Sequence, residues 1–303
     1  MGVLRPFREI SRRMPSPIDG LFELYGGILS DWTDLATDGL QGDDLDAWDP
    51  EYIAATLPLM RATFGAYFRG EVRGLGNIPD GASLLVGNHS GGLMIADTFV
   101  LANEFYDYYG PNRRFHQLAH DFAARNPSLG LIRRYGTLAA SHENAKKAFA
   151  RNAPVLVYPG GDYETFRPSW HSDQIEFGGR KGFIKLALEE GVPIVPVVAV
   201  GGQETALFVT RGQRAAHALG LDRLARIKVL PVSIGPPFGI NFLDLPLRFP
   251  LPAKVTVSVL PPIDLKERFG AQPDHDEVYE EVTGEMQDAL SHLADERTLP
   301  LVG

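Results

Sequence analysis

Between Asp49 and Phe68 the apolar residues Ile53, Leu57, Met60, Phe64 and Phe68 recur every three to four positions. That is the spacing of one buried helical stripe, and Asp49, Pro50 and Glu51 supply a cap, a first-turn proline and a charge suited to the helix dipole. Past Glu71 the period shortens. "EVRGLGNIPDGASLLVGNH" reads as a short strand, a turn rich in Gly, Pro, Asn and Asp, and a second strand ending near Asn88. Patterns then alternate: a helix over about 91–108, a mixed segment over 113–140, a helix from Glu143, a strand "PVLVYPGG", a helix "GRKGFIKLALEEG", a strand "VPIVPVVAVGG" and a late strand "KVTVSVLPPIDL". Strands alternating with helices predict an α/β fold, a sheet flanked by crossover helices. The final stretch, 276–296, places Val278, Val282, Met286, Leu290 and Leu293 at helical spacing, a face expected to pack on the sheet. The division expected is a helical N-terminal portion, 1–70, and one α/β domain, 71–303.

Composition narrows the classes. With 303 residues, 44% apolar and 22% charged, the chain is of ordinary globular make-up, and its net charge of −9 gives no sign of a nucleic-acid binder. The absence of cysteine removes disulfides, thiolate metal sites and cysteine nucleophiles. No run approaches the roughly 18 to 20 apolar residues of a spanning helix. The N-terminus "MGVLRPFREISRR" is basic but lacks the apolar core of a secretory signal. Together with "IDGLFELYGGIL" it is expected to rest on a membrane surface, which predicts a cytoplasmic, peripherally attached protein.

Two strand-to-glycine turns carry the candidate chemistry. In "LLVGNHSGGLMIADTF" (84–99), Asn88, His89, Ser90, Gly91 and Gly92 stand at the carboxyl edge of a strand, where open α/β sheets keep their sites. A neutral imidazole at His89 takes a proton from a hydroxyl, and Asp97 is the nearby carboxylate able to orient it. Gly91 and Gly92 are expected to aim backbone amides at a ligand from a helix N-terminus. The plainer reading makes His89 a helix cap and the glycines a turn. In "VLVYPGGDYETFRP" (155–168) a second such turn is followed by Asp162, Glu164 and Arg167, with Arg180 and Lys181 downstream. Backbone amides and guanidinium groups there suit an anion.

In order and spacing, "GNHSGGLMIAD", "VYPGGDYETFRP" and "GRKGFIKLALEEGVPIVPVVAVGG" resemble the lysophospholipid and glycerolipid acyltransferase superfamily. They are more similar to its diacylglycerol acyltransferase-like branch than to the bacterial 1-acylglycerol-3-phosphate acyltransferases. The resemblance runs from about Tyr67 to Ile263. It implies a mixed sheet flanked by helices and transfer of an acyl group from acyl-CoA or an acyl carrier protein to a lipid hydroxyl. It further implies His89 as general base and Asp97 as its orienting carboxylate. Asn88, Ser90, Gly91, Gly92, Tyr158, Gly160, Gly161, Glu164, Arg167, Arg180 and Lys181 are then substrate contacts. Acyl-CoA is a co-substrate, and neither a metal nor a further cofactor is implied.

Two departures qualify the resemblance. Seven residues separate His89 from Asp97 where the family has four, and four-residue spacings recur at His116 with Asp121 and at His217 with Asp222, away from any strand-to-glycine turn. Where phospholipid-making members carry a phosphate-binding arginine, "YGTLAASHENA" holds Ala140, Ser141 and His142, with Arg133 and Arg134 upstream. A neutral lipid alcohol is therefore open as acceptor. Two other readings stand beside this one: a hydrolase with Ser90 as nucleophile and Asp264 with His275 or His292 completing a triad, and a lipid-binding protein without catalysis. His116 and His120 are four apart yet lack the rest of a zinc helix motif.

Overall fold

The computed structural model describes residues 43–93, 95–120, 124, 130–220, 228–237, 239–242, 244 and 248–297. The N-terminal basic segment and the two helices expected to meet a membrane lie outside the described residues, as do Asp121 and Asp222.

In chain order the elements that frame the site begin with α1 (Pro50–Met60), β1 (Glu71–Arg73), β2 (Ser83–Gly87), α2 (Ala96–Tyr109) and β3 (His116–Ala119). They continue with α3 (Gly130–Arg134), β4 (Thr137–Ala139), α4 (His142–Phe149), β5 (Pro154–Val157), α5 (Gly161–Thr165), α6 (Gly182–Glu190) and β6 (Ile194–Val200). After these come β7 (Leu207–Thr210), α7 (Gln213–Ala218), β8 (Val232–Gly235), β9 (Gly239–Phe242), β10 (Thr256–Val259), α8 (Leu265–Phe269) and α9 (His275–Asp295). Asp49 caps α1 as expected, its carboxylate accepting from the Tyr52 amide at 2.9 Å. The stripe extends past α1 through a π-helical turn, Arg61–Gly65, and buries Ile53, Met60, Phe64 and Phe68.

Seven strands form the main sheet in the order β1-β10-β6-β2-β5-β3-β4, with β10 antiparallel to β6 and the other pairs parallel. The fold is therefore the mixed α/β sheet expected. Every residue of β2 and β6 is buried, as central parallel strands covered on both faces require. Alternation along the strands divides the core. Leu85, Leu156, Val195 and Val197 face α1 and α2, while Leu84, Val86, Val155 and Val198 face α4, α6 and α9. The C-terminal stripe Val278, Val282, Met286, Leu290 and Leu293 is wholly buried in this second layer. The described part of the N-terminal portion, 43–70, shares the sheet's core rather than forming one of its own.

Register sets the position of the site. Val86 pairs with Val157 across parallel β2 and β5, so both strands end at the same edge and their glycine turns emerge side by side. A second sheet, β7-β8-β9, is antiparallel and lies in a part of the chain whose pattern suggested no element. One boundary differs from expectation: α2 begins at Ala96, not near 91. Gly91 (φ 89°) and Gly92 (φ 67°) are left-handed and make a turn that cannot continue a right-handed helix.

Candidate active site

The turn after β2 is held by its backbone from every side. Asn88 takes the place of a missing strand residue: its side chain donates to Ala199 O (2.9 Å) and accepts from Ala199 N (2.7 Å), extending the ladder toward β6. The His89 amide donates to Glu164 Oε2 at 2.8 Å, and the His89 carbonyl accepts from Arg167 Nη1 at 2.6 Å. Gly91 N donates to Gln203 Oε1 (3.1 Å) and Gly91 O accepts from Arg248 Nη2 (2.7 Å). Gly92 exchanges hydrogen bonds with Thr165, and Leu93 N donates to Asp244 Oδ2. The glycine amides are thus spent inside the protein. The expectation that they face a ligand from a helix N-terminus is corrected, because the helix starts four residues later and buried amides are paired internally.

Against this fixed backbone the His89 ring stands apart. It stacks on Tyr158 with centroids 4.3 Å apart and planes 13° from parallel, and the Tyr158 hydroxyl is itself tied to Thr98 Oγ1 at 2.6 Å. His89 Nδ1 is buried without a hydrogen-bond partner. Burial, and then the positive charge of Arg167, push its pKa down to about 3. The ring is therefore neutral throughout the physiological range. Asp97 does not hold it: Oδ2 accepts from the Ser90 amide (3.2 Å) and hydroxyl (2.9 Å), and Oδ1 from the Thr98 amide (2.7 Å). Burial lifts the Asp97 carboxyl to about 6 against those hydrogen bonds. Stacking, not a carboxylate, sets the ring's orientation, and Asp97 fixes the next residue.

The second turn is spent on structure. Arg167 is fully buried and gives its donors to four carbonyls: His171 (Nε, 2.9 Å), His89 and Glu164 (Nη1, 2.6 and 3.1 Å) and Ser172 (Nη2, 2.9 Å). Glu164, equally buried, accepts from the amides of His89 and Glu176. Burial raises its carboxyl to about 7, with Arg167 the largest opposing influence. Gly160 leaves room for this carboxylate, since a Cβ there would lie 2.4 Å from Glu164 Oε2. Gly161 N donates back to Tyr158 O. Arg180 is exposed and binds the carbonyls of Pro159 (3.1 Å) and Gly160 (2.7 Å) and the Asp162 carboxylate (3.2 Å), and Lys181 pairs with Asp276. Arg167 and Glu164 clamp the backbone of the two turns, and Asn88, Ser90, Gly91 and Gly92 likewise make hydrogen bonds within the protein.

The remaining candidates separate. Arg133 is buried and donates to Ala124 O, while Arg134 pairs with Asp49 and lies over the Tyr52 ring, so neither replaces the missing arginine near Ser141, the N-cap of α4. Ser90 Oγ is buried on Asp97; Asp264 caps α8, and His275 and His292 lie on the exposed side of α9, so no triad forms on Ser90. His116 is a buried strand residue whose Nδ1 meets Gly136 O at 3.0 Å. Among the described residues no group of three His, Cys, Asp or Glu could hold a metal.

Gln203, Asp244 and Arg248 escaped the sequence reading. Gln203 links the two turns, accepting from Gly91 and donating to Arg167 O. Asp244 and Arg248 form a fully buried ion pair, 2.9 Å, that grips Gly91 and Leu93 from more than 150 positions away. Their i,i+4 spacing was the one visible signal, and it is equally the mark of an exposed helix pair.

Comparison with known proteins bears on this geometry. Residues 69–200, which contain both turns, match the model of the Acyltransferase family. An uncharacterized protein of Mycobacterium tuberculosis is 29% identical over 257 residues, 83% of this chain and 69% of that one. Diacylglycerol O-acyltransferase 1 of Saccharomyces cerevisiae is 36% identical over 67 residues, 22% of this chain and 16% of that one. The crystal structure of a 1-acyl-sn-glycerophosphate acyltransferase from Thermotoga maritima aligns with a TM-score of 0.46 at 16% identity, covering 79% of this chain and 82% of that one.

Proposed function

We propose, from a chain whose residues 69–200 match the Acyltransferase family model, that the protein moves a fatty acyl group from acyl-CoA or an acyl carrier protein to the hydroxyl of a glycerolipid. The observation that carries the reading is the His89 ring. It is a half-buried, neutral imidazole on a backbone clamped at both its amide and its carbonyl, at the carboxyl edge of the sheet.

In this reading His89 takes the acceptor's hydroxyl proton as its oxygen attacks the thioester carbonyl. A C–O bond forms, the C–S bond then breaks, and the departing thiolate takes the proton back from the imidazolium. No carboxylate touches the ring, so the imidazolium exists only while the nearby charge of the tetrahedral oxyanion offsets it. A positioned base of this kind contributes about 10²- to 10⁴-fold, and holding thioester and hydroxyl together contributes further. The lack of a phosphate-directed arginine beside Ser141 favours a neutral acceptor such as a mono- or diacylglycerol over a phosphorylated one. Among the described residues no helix is long and apolar enough to cross a membrane. Lipid substrates then call for peripheral attachment, with the basic N-terminal segment as one contact.

The test is release of free CoA from palmitoyl-CoA with a panel of lysophospholipid, monoacylglycerol and diacylglycerol acceptors. Acceptor-dependent release should fall at least 100-fold in His89→Ala and stay near wild type in His116→Ala. Release that ignores the acceptor, or survives His89→Ala, overturns the proposal.

A further inference from the structure

In the small sheet β7-β8-β9, strands β8 and β9 turn apolar side chains outward. Along β8, Ser233 is buried and Ile234 exposed; along β9, Asn241 is buried while Ile240 and Phe242 are 62% and 59% exposed. Register makes these outward residues a continuous surface. Leu207 pairs with Ile234 and Ile234 with Ile240, and in the next row Thr210 and Phe242 flank Val232. A half-buried antiparallel strand ordinarily turns its apolar side to the core. Here the polar side is needed inward, because Ser233 donates to Asp244, the residue gripping Leu93. Of the large apolar side chains exposed among the described residues, Leu207, Leu219, Ile234, Ile240 and Phe242 fall within one 36-residue stretch. A concentration of this kind marks an interaction surface.

Charge identifies the partner. Between Ala206 and Phe242 the sequence holds the cations Arg211, Arg214, Arg223, Arg226 and Lys228 against the single carboxylate Asp222, in a chain whose net charge is −9. Arg211 is committed to Glu176, but Arg214 and Lys228 are exposed. Leu230 N donates to Arg211 O, which brings their two segments together at the end of the sheet that carries Thr210, Val232 and Phe242. Aliphatic and aromatic residues beside a cationic rim suit an anionic lipid surface, where apolar burial and charge attraction add.

We propose that the outward face of β7-β8-β9 seats the protein on an anionic bilayer. The inference rests on the reading that the substrates are lipids, and the opposite face of the same sheet packs on the turn that carries His89. Phe208, on the inner side of the same sheet, packs so closely on Gly92 that a Cβ there would lie 2.9 Å from its ring. Docking by this face sets the small sheet between the bilayer and the turn that carries His89.

Flotation of the full chain with phosphatidylcholine vesicles, with and without phosphatidylglycerol, tests the assignment without any turnover. Wild type should float with the anionic vesicles. Ile234→Thr/Ile240→Thr/Phe242→Thr, which keeps β-forming residues, should lower the bound fraction roughly tenfold while CoA release with a short-chain thioester and a water-soluble acceptor is unchanged. Arg214→Glu should weaken binding to the anionic vesicles alone. In a chain with its three surface residues otherwise intact, Phe242→Trp fluorescence should be quenched by brominated acyl chains. Failure of wild type to float, binding indifferent to these substitutions, an unquenched Trp at 242, or a dimer that the triple variant dissociates with vesicle binding intact would each overturn it. Loss of CoA release in wild type with vesicle binding as expected would sink the catalytic reading instead.

Discussion

The two glycine turns at the sheet edge look alike in sequence and do different work. After β2 the chain presents one side chain, His89, whose Nδ1 has no partner, on a backbone held at its own amide and carbonyl and at Gly91. After β5 the chain presents buried charges, Glu164 and Arg167, whose polar atoms are turned onto backbone groups, largely those of the first turn and of the loop over it. One turn carries the histidine proposed as base, and the other fixes the backbone on which it stands. Positioning a base within hydrogen-bond reach of its proton requires such support, and here charge is used for rigidity.

The sharpest break of this comparison is removal of the clamp. Arg167→Ala leaves buried carbonyls and the Glu164 carboxylate without their cation, and should cost about 3 to 5 kcal/mol, read by denaturant unfolding. A loss under 1 kcal/mol would mean the guanidinium is free to serve a substrate.

Next in size is the pH dependence of stability, where the turns oppose each other. Glu164 and Asp97 have folded pKa values raised to about 7 and about 6. Through roughly pH 4 to 7 the folded protein keeps protons that the unfolded chain has released, so their contribution falls as pH rises. His89, lowered to about 3, excludes a proton the unfolded chain binds below its ordinary value of 6.5, so its contribution falls as pH falls through that range. His89→Asn should therefore steepen the loss of stability with rising pH, and Glu164→Gln should flatten it, each by on the order of 3 kcal/mol across the range. Thermal melts from pH 4 to 7.5 that shift both slopes in one direction would refute the assignment.

The smallest effect is expected at Arg180, the exposed counterpart of Arg167. Its ion pair with Asp162 is solvated, and Arg180→Ala should change stability by less than about 1 kcal/mol. A melting loss equal to that of Arg167→Ala would erase the distinction between buried clamp and surface cap.

The α/β class, the helical stripes of α1 and α9, and the two strand-to-glycine turns were legible along the chain, because each follows from local periodicity and turn chemistry; that the turns meet at one edge came from the pairing of β2 with β5. The start of α2 was not: two left-handed glycines consume the residues that looked like its first turn. Nor was the role of Arg167, since a guanidinium after a glycine turn reads the same whether it faces solvent or four carbonyls. The inverted sheet was invisible for a related reason. Tertiary contacts, Ser233 with Asp244 and Phe208 with Gly92, decide which side faces inward.

Sequence by itself determined which residues alternate, where the strands stop, and that a histidine stands at a strand end, since these depend on neighbours a few positions apart. Tertiary structure alone decided that Asp97 serves Ser90 rather than the ring, that Tyr158 orients His89, and that Asp244 with Arg248 closes the turn. Those outcomes depend on partners from about 7 to more than 150 positions away, competing for a few buried hydrogen-bonding groups that must all be satisfied at once.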